Sequence, residues 1–126
     1  MSVDLVTSIA RRKMLLARAG EISLPPIAGF AYGNGGVDAE GNIVQIPEEQ
    51  IALNCELLRK AYDSYTILSD YKCRYLSTLT KLELAGESIS EIALYDTDGD
   101  LVYIKHFYAK GKDSDLEMEF QIDDIF

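Results

Sequence analysis

Apolar residues recur with two different periods along this chain. Near the start, Val3, Val6, Ala10, Met14 and Ala17 follow one another at intervals of three and four, which gathers them on one helical stripe. Leu5, Ile9 and Leu16 broaden that stripe. Asp4 falls in the first turn and the cations Arg11, Arg12, Lys13 and Arg18 fall later, an order that suits the partial charges of the helix ends. Gly20 is placed to end the helix in the left-handed conformation. The pattern predicts a helix over 3–19.

Pro25 and Pro26 then stop any regular ladder, and IAGFAYG, from Ile27 to Gly33, reads as a short strand. The cluster Gly33, Asn34, Gly35, Gly36 reads as a tight turn, and Val37 to Pro47 as a polar excursion. Ile51, Cys55, Leu58 and Tyr62 return at intervals of four, three and four, which describes a second short helix, although the same stretch also reads as an extended chain. From Tyr65 onward the period is that of sheet. The clearest signal is DTDGD between two apolar runs, which predicts a hairpin joining Glu91–Asp96 to Leu101–Tyr108, with Asp98 and Gly99 at the two positive-φ positions of a primed turn. At the end, Leu116, Met118, Phe120 and Ile122 alternate with polar residues, as in a half-buried strand, and AKGKDSD is the preceding loop. These elements predict an α+β fold, its N-terminal helix packed on an antiparallel β-sheet or a small β-sandwich.

Size and charge narrow the picture. A chain of 126 residues has room for one core, so 1–126 is read as a single domain. Its net charge of -9 would repel nucleic acid. Apolar runs are too short for membrane insertion, and the opening MSVDLVTSIARRK lacks the apolar core of a signal peptide. Cys55 and Cys73 belong to no CxxC pair and read as buried free thiols. Cations gather near the start, while Asp113, Asp115, Glu117, Glu119, Asp123 and Asp124 crowd the end, a polarity that suits alignment of copies or partners. The candidate interaction surface therefore comprises Arg11, Arg12, Lys13, Arg18, Tyr95, Tyr103, Asp123 and Asp124.

Candidate chemistry is sparse. Asp96, Asp98 and Asp100 resemble a cation loop, but counting from Asp96 puts Leu101 at the sixth position and Phe107 at the twelfth, where an EF-hand needs glycine and glutamate. An acidic, solvent-facing turn is the expectation, with no metal. The glycine cluster lacks GxxxxGK[ST] and does not open a helix, so it reads as a turn without a bound phosphate or other cofactor. His106 is the single histidine and has no sequence-local carboxylate or thiol partner, and Glu87 and Glu91 read as surface carboxylates. The reading is therefore of a protein that is not an enzyme. Eight tyrosines supply rings that suit either a core margin or a protein contact.

Three stretches carry a wider likeness: Ile27 through Gly35, Leu53 through Arg59, and Ile89 through Phe107, in which Glu91, Ile92, Ala93, Leu94, Tyr95, Asp96, Asp98, Gly99 and Leu101 fall in order. Their succession resembles the N-terminal domain of phage tail fibre, or tail-collar fibre, proteins. The chain departs from that family's pattern at Ala93, where glycine is usual, and at Tyr95, where phenylalanine is usual. The resemblance implies a structural component of a phage, prophage or related contractile tail. Such a part is an attachment or adaptor module assembled in the bacterial cytoplasm, with other tail or baseplate proteins and further copies of itself as partners. The alternative from the residues alone is a freestanding regulatory domain whose pocket is lined by the glycine segment and several tyrosines.

Overall fold

The computed structural model describes residues 2–126. In chain order the elements are β1 (Ser2–Val6), α1 (Ser8–Arg18), β2 (Ile27–Gly33), β3 (Glu56–Ala61), β4 (Ser64–Ser69), β5 (Lys72–Leu79), β6 (Ser88–Asp96), β7 (Leu101–Gly111) and β8 (Met118–Ile125). Two antiparallel sheets result, one five-stranded in the order β1-β7-β6-β2-β3 and one three-stranded in the order β4-β5-β8. The strand at Ile27–Gly33, the hairpin around the Asp-Gly turn and the alternating terminal strand all form. No helix among the described residues is long and apolar enough to cross a membrane.

The helix predicted over 3–19 divides in two. Residues Ser2 to Val6 form an edge strand paired to β7, in register from Ser2 against Phe107 to Val6 against Tyr103. Val3, Leu5 and Val6 satisfy strand preference as well as helical spacing, and pairing with β7 decides between them. Thr7 marks the break: its hydroxyl accepts from the Ala10 amide at 3.1 Å and donates to the Leu101 carbonyl at 2.7 Å, so one buried side chain caps α1 and ties it to β7. Asp4 consequently lies in β1 and not in the helix's first turn, where it accepts from the Tyr103 hydroxyl at 2.6 Å. At the other end the sequence reading holds. Gly20 adopts φ 84°, and the amides of Gly20 and Glu21 return to the carbonyls of Ala17 and Leu16 at 3.1 and 2.9 Å.

The second helix does not form; Glu56–Ala61 is a strand paired to β2. Its apolar spacing was compatible with a helix, but β2 offers a free edge, and the amides just before the strand have a buried acceptor described below. The β-sandwich alternative is not what the two sheets make. β5 and β8 cover part of the large sheet, whereas all six residues of β4 are exposed.

Where the sheets do meet, Phe30, Tyr32, Ile92, Leu94 and Phe107 from the large sheet pack with Leu79, Phe120 and Ile122 from the small one. The Tyr32 and Phe120 rings lie edge to face at 5.3 Å. Each such side chain, fully buried, contributes about 1.5–3 kcal/mol relative to leaving it in water. A second apolar cluster joins Ala31, Ala93, Leu101 and Ile104 with Leu53, and Ile46 from the polar excursion packs on it. The excursion thus lies over small residues of the sheet.

Candidate functional site

Three places gather the side chains that chemistry or recognition would use. The first is the β6–β7 turn. It is a three-residue loop, with the Gly99 amide donating to the Asp96 carbonyl and the Asp96 amide to the Asp100 carbonyl, both at 2.9 Å. Only Gly99 has positive φ, at 89°, so the primed two-residue turn expected from Asp98-Gly99 is replaced by a longer one. One carboxylate oxygen of Asp96 accepts the amides of Asp98 and Asp100, at 3.0 and 3.1 Å.

This folding of the loop brings the carboxylates of Asp96, Asp98 and Asp100 close enough together to hold a cation. Lys13, reaching from α1, supplies one: its Nζ lies 2.6, 3.0 and 2.8 Å from Oδ2 of Asp96, Asp98 and Asp100. Burial works against the ammonium, but the three hydrogen bonds outweigh it and raise the Lys13 pKa. The turn is therefore not simply solvent-facing. Asp96 is 2% exposed, and the helix is anchored to it.

The second place is Glu91, on β6. In the β6–β7 register it stands opposite His106, and both side chains are fully buried. Its Oε2 accepts the amides of Gly35 and Cys55, each at 2.8 Å, and its Oε1 accepts the Asn54 amide at 2.9 Å. His106 Nε2 lies 3.6 Å from Oε1, an ion-pair distance too long for a hydrogen bond, and has no hydrogen-bond partner among the described residues. Its Nδ1 meets the Val44 carbonyl at 2.7 Å. Burial opposes charge on both groups, yet their attraction and the hydrogen bonds prevail, lowering the Glu91 pKa and raising that of His106.

The glycine turn is thus an anion cradle filled by the chain's own carboxylate. Gly36 completes it, donating to Ser90 Oγ at 2.9 Å, and a Cβ there would sit 2.0 Å from the Ser90 carbonyl oxygen. A general acid or base must reach a substrate, and neither Glu91 nor His106 opens on a cleft.

The third place is apolar. A groove of about 510 Å³ runs between α1, the Pro25-Pro26 segment, Tyr75 of β5 and the end of β8. Val6, Met14, Leu24, Val102, Ile125 and Phe126 supply most of its apolar wall. Arg18 and Asp124 stand on it, neither in an ion pair among the described residues, and burial alone raises the Asp124 pKa. Phe126 and Ile125 are largely exposed at its mouth.

Among the other residues singled out from sequence, Arg11 reaches Glu48 only at 3.8 Å, with both side chains mostly in water, and Arg12 is exposed. Tyr95 carries the Arg59 guanidinium over its ring at 4.8 Å, and Asp123 binds Arg74 at 2.8 Å. Tyr103 and Asp123 are turned to partners within the chain, while Arg18 and Asp124 both line the groove. The two thiols are not buried: Cys55 is exposed and Cys73 partly so, because the interaction that fixes Cys55 is made by its backbone amide. Glu91 is not the surface carboxylate expected from sequence but is fully buried. Counting back through the hairpin places it beside the single histidine, and an acid among apolar neighbours in SEIALYD was the available signal.

No protein family, curated protein or solved structure matches this chain.

Proposed function

We propose that this chain is a structural adaptor of a phage-type contractile tail, docking onto other tail or baseplate proteins through the groove between α1, the Pro25-Pro26 segment and the end of β8. The observation that carries an assembly role is a division of labour on the molecule. Its charged clusters, at Lys13 and at Glu91, are closed on internal partners, whereas large apolar side chains stand open at Leu24, Ile125 and Phe126. Apolar surface of that kind, rimmed by charge, is what protein interfaces use. The reading assigns the chain no reaction.

The tail setting rests on the sequence resemblance alone. Its three landmarks meet at one point: Gly35 from the first and Asn54 and Cys55 from the second donate to Glu91 of the third. That gives the landmarks a common structural reason, which concerns the fold and not the setting.

The test is co-assembly with the structural proteins encoded beside its gene, using Met14→Arg and Phe126→Asp as groove variants. Each is expected to weaken the complex at least ~10-fold, about 1.4 kcal/mol, with an unchanged circular dichroism spectrum. Binding as strong as that of the unaltered chain overturns the groove assignment. A second reading, a freestanding domain that binds a small apolar ligand, is favoured by the groove's volume, which falls within the roughly 300–1,000 Å³ of ligand pockets. Its wall is not the one expected from sequence, since the glycine segment is absent and Tyr75 is the tyrosine that contributes.

A further inference from the structure

Along β8 the side chains alternate between core and water, and Met118, Phe120 and Ile122 take the inward positions. The next position on that face is Asp124, and Phe126 follows it. An acid thus stands where the strand's own pattern asks for an apolar residue. Asp124 is opposite Cys73 in the β5–β8 register and lines the groove, as does Tyr75, the next inward residue of β5. It is partly buried, and among the described residues no cation or hydrogen bond compensates that burial, which alone raises its pKa. Asp123, on the outward face, is by contrast held by Arg74 at 2.8 Å. An uncompensated carboxylate lowers stability, and a departure of this kind from the local pattern belongs to a functional site.

We propose that the partner segment seated in this groove carries one basic side chain, lysine or arginine, among apolar residues, and that this cation pairs with Asp124 inside the groove. This partner chemistry rests on the docking role proposed above. Charge complementarity selects the cation. Of the two acids lining the groove, Asp96 has Lys13 at 2.6 Å, whereas Asp124 has no cation among the described residues. Arg18, the remaining charge on the wall, is exposed. Between apolar walls an ion pair with Asp124 is stronger than the same pair in water, and a misplaced acid on the partner is rejected.

The extent of the apolar surface selects a protein segment over a small molecule. Val6, Leu24, Ile125 and Phe126 all line the groove and are all exposed, and they come from β1, the approach to Pro25 and the end of the chain. A small ligand within the cavity leaves much of that surface in water, whereas a segment laid along the groove covers it.

Titration calorimetry of the chain against the structural proteins encoded beside its gene tests this, and the sign of one substitution decides it. Asp124→Leu and Asp124→Asn are each expected to raise the dissociation constant at least ~10-fold, while Asp124→Leu raises the urea midpoint of the free chain. A residue that only holds the fold does not lose binding as it gains stability. Asparagine, close to aspartate in size, keeps the result readable if leucine disturbs the end of β8. Glu119→Gln, an outward acid on the same strand, is expected to bind as the unaltered chain does. Tighter or unchanged binding by Asp124→Leu, in a complex that Phe126→Asp weakens, overturns the paired cation and leaves the groove standing with a wholly apolar partner. A lowered midpoint for Asp124→Leu overturns it as well, by showing that the acid serves the fold. Indifference of the complex to Phe126→Asp, or no binding by any of those proteins, overturns the docking groove and the cation with it.

Discussion

A carboxylate inside a β-sheet is unfavourable unless its oxygens are filled with donors and its charge is opposed. Glu91 meets both conditions, with three backbone amides and the His106 ring around it. Glu91→Gln would keep the shape but present an amide donor to amide donors and remove the counter-charge of His106. It is expected to lower unfolding free energy by roughly 3–5 kcal/mol, the usual consequence of breaking a buried pair, as measured by urea denaturation. Its pH dependence follows from the directions of the shifts. The lowered Glu91 contributes stability that is present above its unfolded pKa of about 4.3 and lost as pH falls through its folded value. The raised His106 contributes stability that is present below its unfolded pKa of about 6.5 and lost as pH rises through its folded value. Stability from the pair is therefore greatest between these limits. Glu83 and Asp123, also lowered by cationic partners, share the acid limb, whereas the limb above neutrality belongs to His106. His106→Gln is expected to flatten that upper limb in denaturation midpoints taken between pH 6 and 9, and an unchanged profile would contradict the assignment. The pair is not a local motif, because Glu91 and His106 are 15 positions apart; it becomes legible only when the residues are counted through the predicted hairpin.

At the scale of elements, local signals succeeded where one force acted and failed where two competed. The hairpin strands around the Asp-Gly turn and the alternating run ending at Ile122 had strand signals with nothing opposing them, and they form, although the turn itself is one residue longer than expected. Val3 to Val6 carry helical spacing and read as helix, yet the free edge of β7 draws them into a strand; Ile51 to Tyr62, open to either reading, becomes a strand at Glu56–Ala61 on the edge of β2. What fixes α1 after the break is polar. Its single fully buried apolar residue is Ala10, and Thr7 and Lys13 tie it to β7 and the β6–β7 turn. Lys13→Met should therefore loosen α1 more than the sheets. Expected are a loss of about 1–3 kcal/mol, the range for hydrogen bonds to charged groups, and faster amide exchange over Ser8–Arg18 than over β6 and β7. Uniform acceleration through all elements would show instead that the helix is not separately anchored.

For the molecule as a whole, the sequence predicted a helix with antiparallel sheet, and that much forms. It could not predict the surface. The groove is built by α1, Pro25-Pro26 and the chain's last residues, segments about 100 positions apart. In the proposed reading the groove receives a tail partner. Hydrogen exchange of the chain, alone and mixed with the structural proteins encoded beside its gene, tests the central claim most directly. The account predicts slowed exchange at α1, at Leu24–Ile27 and at Asp124–Phe126 in the mixture, with Gly33–Gly36 and Glu91 unchanged. Slowing confined to the glycine turn and its neighbours, or no slowing with any of those proteins, would contradict it.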